Sequence, residues 1–126
     1  MPPLRSMQTV VETPDYLRDA KAAGVGKDDR RSIVDVISAN PTAGELIVGS
    51  GGARKVRFAA PGRGKSGGYR VVTYYGGGAL PVFLLNMFKK GDRINLSKAE
   101  VNELRDELSH LAREYGEGAK RHVEGR

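Results

Sequence analysis

With 126 residues and a formal net charge of +6, the chain has room for one domain (residues 1–126) around a single modest core. It has no cysteine, which excludes disulfides and thiolate metal centres, and its two histidines, His110 and His122, have no carboxylate cluster to complete a zinc site. The longest apolar run, around Pro81-Val82-Phe83-Leu84-Leu85, falls well below the ~20 residues of a membrane-spanning helix, and the start MPPLRS lacks the apolar core of a signal peptide. A soluble, cytoplasmic protein with no membrane partner is expected, with residues 1–6 an extension ahead of Met7.

In chain order, Gln8 to Glu12 is β-branched at its centre and predicts a first strand. Thr13-Pro14 supplies a cap and a first-turn proline for a helix that Gly24 stops near Ala23. Lys27 to Ser38 places Ile33, Val34 and Ile37 on one face of a second helix, ended by Asn40-Pro41. The short link Gly24-Val25-Gly26 makes the two a helical hairpin.

From Gly49 the pattern turns to strands. Arg54 to Phe58 alternates, with Lys55 and Arg57 on one side and Val56 and Phe58 on the other. A Gly-, Arg- and Lys-rich loop, Ala59 to Gly68, leads to a strand over Tyr69 to Tyr75 and a turn at Gly76-Gly77-Gly78. Ala79 to Phe88 is apolar on both faces, which predicts a central, covered strand. Ser97 and Glu100 form a capping box, and Val101, Leu104, Leu108, Leu111 and Tyr115 then make one apolar stripe on a last helix. His110 is an ordinary residue of that helix, and residues 117–126 read as a flexible polar tail. The fold class is therefore α+β: a small antiparallel sheet with an N-terminal helical pair and a C-terminal helix packed on it.

The charge is not spread evenly. The window Ile47 to Gly91 holds eight of the twenty-one Lys and Arg residues and no Asp or Glu, so the remainder of the chain, thirteen bases against fifteen acids, is slightly acidic. Most basic runs are simply solvated faces, but one without a carboxylate over such a length suits a polyanion. Lys55, Arg57 and Arg70 start adjoining strands and are the candidate site, with Lys89 and Lys90 at its rim. Arg54, and Arg63 and Lys65 in the loop, are candidates for RNA backbone contact, and Tyr69 and Phe88 for stacking on a base.

Ala59 to Ser66 also fits a loose phosphate-loop pattern, ending Gly64-Lys65-Ser66. It is not a nucleotide site. Such a loop holds phosphate at the start of a helix, whereas Ser66 here leads through two glycines into the strand Tyr69-Arg70-Val71-Val72.

The segments GSGGARKVRF, GRGKSGGYRVVTYY and FLLNMFKKG resemble the HigB-type branch of the RelE/ParE superfamily of toxins, over about Gln8 to Leu111. The resemblance implies the toxin of a type II toxin–antitoxin system: a ribosome-dependent endoribonuclease that cuts mRNA. Its implied partners are the ribosome with its mRNA and a silencing antitoxin, a HigA-like helix-turn-helix protein. It implies site roles for Lys55 and Arg57, for Arg70, and for Lys89 and Lys90. The sequence departs from the pattern at the tyrosine that RelE places near its C-terminus. Leu96 and Phe88 are the nearest residues here, and neither has a hydroxyl.

The basic window contains no histidine or carboxylate for a conventional acid–base pair. A cationic mechanism is expected, without metal or cofactor: Arg57 and Arg70 hold the phosphate oxygens, and Lys55 is the candidate base for the 2′-hydroxyl. The alternatives are a ParE-like toxin that poisons gyrase, whose relatives lack this basic cluster, and an RNA-binding module without cleavage.

Overall fold

The computed structural model describes residues 7–59, 68–89 and 96–124. Three helices and five strands follow in the order β1 (Val10–Glu12), α1 (Pro14–Ala22), α2 (Lys27–Ala39), β2 (Glu45–Leu46), β3 (Ala53–Phe58), β4 (Tyr69–Tyr75), β5 (Val82–Lys89) and α3 (Lys98–Glu124). The strands form one sheet in the order β1-β5-β4-β3-β2. Pairing is antiparallel from β5 to β2, but β1 lies parallel to β5, so the sheet is mixed rather than wholly antiparallel. Parallel neighbours need a long crossover, and the chain from α1 through β4 supplies it before β5 returns beside β1.

Local chemistry sets the element ends. The Thr13 hydroxyl accepts from the Tyr16 amide at 3.3 Å and donates to the Leu84 carbonyl at 2.7 Å, so one side chain caps α1 and pins it to β5. Ser97 and Glu100 form the expected reciprocal capping box: the Glu100 amide donates to Ser97 Oγ (3.2 Å) and the Ser97 amide to Glu100 Oε1 (2.9 Å). Beyond Tyr115, where the apolar stripe ends, the α3 backbone stays helical to Glu124, so most of the tail expected from residue 117 belongs to the helix. β5 begins at Val82 rather than Ala79, because Gly78 and Ala79 belong to the preceding turn.

The sheet carries a core on each face. On one, Val56, Val71, Leu84 and Met87 pack with Tyr16 and Ala20 of α1 and Ile33 and Ile37 of α2. On the other, Ala53, Val72, Phe83, Leu85 and Phe88 pack with Leu104 and Leu108 of α3. β5 supplies both cores, as its unbroken apolar run predicts. Its alternation is interrupted once. Val72 pairs with Asn86 and Thr73 with Leu84, leaving Leu85 as the extra residue of a β-bulge.

Candidate nucleic-acid interface

The β3–β4–β5 register brings the basic residues into rows. Lys55, Val72 and Asn86 stand in one row across the three strands, and Arg57, Arg70 and Phe88 in the next. Ala53, Val72 and Phe88 belong to the core beneath α3, so Lys55, Arg57 and Arg70 share the α3 face of the sheet. Arg57 is exposed, while Lys55 and Arg70 are half-buried. A groove of about 370 Å³ opens beside Arg57, lined also by Phe58, Ala59 and Gly68.

Arg57 and Arg70 face each other directly on neighbouring strands, a placement that destabilises a sheet when both charges have the same sign. The Nη1 atom of Arg70 is buried and has no hydrogen-bond partner among the described residues. An unsatisfied buried donor costs on the order of 1–3 kcal/mol, more when charged. An oxyanion bridging the two guanidiniums would remove both costs, and a planar fork suits the oxygens of a phosphate.

Of the other expected members, Phe88 is covered and three lie elsewhere. Phe88 is only 6% exposed and packs in the α3-side core, so it offers no face for a base to stack on. Tyr69 and Lys89 pair with each other in the next register row, on the α1–α2 side, where Tyr69 packs against the core. Uninterrupted alternation along β5 would have put Lys89 on the same face as Leu85; the bulge reverses that parity. Arg54 lies on the α1–α2 side of β3 and donates from Nη1 to the Gly44 carbonyl at 3.3 Å, tying down the chain before β2. Arg63, Lys65 and Lys90, and with them most of the phosphate-loop look-alike, fall outside the described residues, as do residues 1–6.

The fold brings the Glu45 carboxylate to this region. Glu45 on β2 stands directly opposite Lys55, and both line a second groove of about 250 Å³ with Leu46, Leu96 and Val101. Sequence reasoning missed it because β2 is two residues long and lies just before the acid-free window. Gly44-Glu45-Leu46, shortly before a strand, was the available signal. Among the described residues no group of three or more His, Asp or Glu is placed to hold a metal ion, and no helix is long and apolar enough to cross a membrane.

A sequence model of the RelE toxin of the RelE/RelB toxin–antitoxin system matches residues 11–123, nearly the whole chain. The chain belongs to the RelE toxin family. Membership makes it the toxin of a toxin–antitoxin pair and its partner an antitoxin. The match runs through every element from β1 to α3, so the face formed by β3, β4 and β5 lies wholly within the part shared with the RelE family.

Proposed function

We propose that this RelE-family toxin is a ribosome-dependent mRNA endoribonuclease of the HigB-type branch, which blocks translation in the bacterial cytoplasm and is silenced by a HigA-like helix-turn-helix antitoxin. The observation that carries the reading is the Arg57–Arg70 opposition, with a buried guanidinium nitrogen that lacks a partner among the described residues and Lys55 on the same face. The 2′-oxygen attacks the adjacent phosphorus as the P–O5′ bond breaks, leaving a 2′,3′-cyclic phosphate and a 5′-hydroxyl. Arg57 and Arg70 hold the nonbridging oxygens and stabilise the charge that builds on them. Lys55, in its neutral form, takes the 2′ proton, and water protonates the departing 5′ oxygen. A site of this kind depends on the ribosome to place the 2′-hydroxyl in line, since positioning is the largest contribution it does not make itself.

Primer extension on translated mRNA after induction of the toxin tests this. Discrete cuts within the coding region, absent from untranslated RNA and absent with Arg70→Ala, are expected. Growth arrest with intact mRNA would overturn the nuclease reading, and gyrase-dependent DNA breaks in its place would point to a ParE-like toxin.

A further inference from the structure

Asp19 lies in the middle of α1, the helix whose Tyr16 and Ala20 pack on the face of the sheet opposite Lys55, Arg57 and Arg70. Its Oδ2 accepts from the Met87 amide at 3.0 Å and from Asn86 Nδ2 at 3.2 Å. Those two residues follow the extra residue Leu85 directly, at the place where β5 breaks step with β4. Met87 itself pairs with Val71, and β1 reaches along β5 only to Leu84, so the Asp19 carboxylate supplies an acceptor on the β5 edge just past the bulge. The consequence reaches the other face. Past the bulge the parity of β5 is reversed, and the reversal sets Phe88 beside Arg70 on the α3 side and sends Lys89 to the far side. With Phe88 packed in the core as its neighbour, the half-buried stem of Arg70 has a fixed wall.

We propose that Asp19 is a positioning residue for the anion site: by holding the β5 bulge it fixes Phe88 against Arg70 and so aims the Arg70 guanidinium at phosphate. The cleavage half of this proposal rests on the nuclease reading above; the anion-binding half does not.

The test compares Asp19→Asn, Asp19→Leu and Leu17→Ala in the full chain. Asn keeps an oxygen acceptor and Leu does not, while both remove the charge. Leu17 packs against the α1–α2 core and its side chain has no acceptor to offer β5, so Leu17→Ala controls for a loosened α1. Inorganic phosphate is titrated into each protein and followed at the Arg70 Nε–H resonance, and single-turnover mRNA cleavage is measured on programmed ribosomes. Loss of a negative charge by itself raises anion affinity, so a fall in affinity has to come from geometry. Asp19→Leu is expected to bind phosphate several-fold more weakly and to cleave about 10-fold more slowly at saturating ribosomes, the scale of a small misplacement of a reacting group. Asp19→Asn and Leu17→Ala are expected to stay close to wild type in both readouts. Asp19→Ala replaces Asp19→Leu if the latter does not fold. Wild-type phosphate affinity in Asp19→Leu, equal losses in Asp19→Asn, equal losses in Leu17→Ala, or no phosphate response at Arg70 in the wild type would each overturn the proposal. A wild-type protein that binds phosphate there but cuts no mRNA would sink the nuclease reading alone, leaving the phosphate comparison to decide the role of Asp19.

Discussion

Arg70 opposes Arg57 across β3 and β4 and buries a guanidinium nitrogen without a partner among the described residues, so in the free protein its charge costs stability. Arg70→Gln keeps much of the stem and removes that charge. It should raise stability by about 0.2–1 kcal/mol while lowering mRNA cleavage on the order of 10²–10³-fold, the usual loss for one charge-stabilising donor. Thermal unfolding and single-turnover cleavage, measured on the same preparation, check the two opposite signs. Lys55 admits a sharper test. If it takes the 2′ proton, Lys55→Arg keeps the charge but loses on the order of 10²–10⁴ in rate, because a guanidinium does not give up its proton at physiological pH. A fully active Lys55→Arg protein would limit Lys55 to charge neutralisation. Tyr16, on the α1–α2 side, shows the same physics away from the site. It is fully buried, and its hydroxyl has no hydrogen-bond partner among the described residues; Arg30 Nε and Glu12 Oε2, which interact with it electrostatically, lie 3.5 Å apart. Burial pushes the Tyr16 hydroxyl far above its ordinary value, Glu12 adds to the rise, and Arg30 opposes it. A raised folded value means that the neutral phenol favours the native state, so its contribution is complete below the unfolded value of about 10 and is lost as pH climbs above it. Tyr16→Phe should therefore be about 1 kcal/mol more stable at neutral pH and should lack this part of the alkaline loss, as thermal melts from pH 7 to 11 would show.

At the level of elements, what could be read from the sequence was whatever local pattern determines. The Thr13 cap, the Ser97–Glu100 box and the β3 and β4 alternation were legible because each depends on residues a few positions apart. Lys55, Arg57 and Arg70 came onto one face for the same reason. The β5 bulge was not legible. Nothing in Leu84-Leu85-Asn86 marks an extra residue, and the two residues that follow it are bonded to Asp19, more than sixty positions earlier in the chain. Lys89 therefore stands on the face opposite to the one that unbroken alternation from Leu85 predicts. β2 was missed because its position depends on a close approach rather than on its own two residues. Gly44 has φ +93°, and a Cβ there would lie 2.5 Å from the Lys55 carbonyl oxygen and 2.8 Å from Val56 Cγ2. Gly24, at φ +75°, has nothing within 4 Å of such a Cβ. Gly24→Ala should cost only the backbone penalty, about 1–2 kcal/mol. Gly44→Ala meets the same penalty plus a clash with a strand backbone, and should cost more while shifting β2 and with it Glu45. Denaturant unfolding of the two variants side by side checks the order, and equal losses would mean that β2 is not anchored by this contact.

Over the whole molecule, a basic face on β3 and β4 belongs to a chain that is otherwise slightly acidic, and this imbalance governs how the toxin meets a polyanion. An evenly basic protein would bind nucleic acid by any surface, with a steep salt dependence that no single substitution changes much. Here the described cations that share a face are Lys55, Arg57 and Arg70, and the exposed Lys89 lies on the other side of the sheet. Each phosphate contact to single-stranded RNA releases about 0.7 counterion, so three contacts give a slope of log K against log salt of about −2. Contacts from Arg63, Lys65 or Lys90 would steepen it. The informative quantity is therefore the change on substitution. Arg70→Gln should make the slope shallower by about 0.7, and Arg57→Gln by the same amount. Lys89→Gln should leave it nearly unchanged, because the bulge has turned that residue away. Filter binding of a short RNA at salt concentrations from low to physiological gives all four slopes. If Lys89→Gln flattens the slope as much as Arg70→Gln does, RNA is contacting both sides of the sheet, and the single basic face is not the surface that binds.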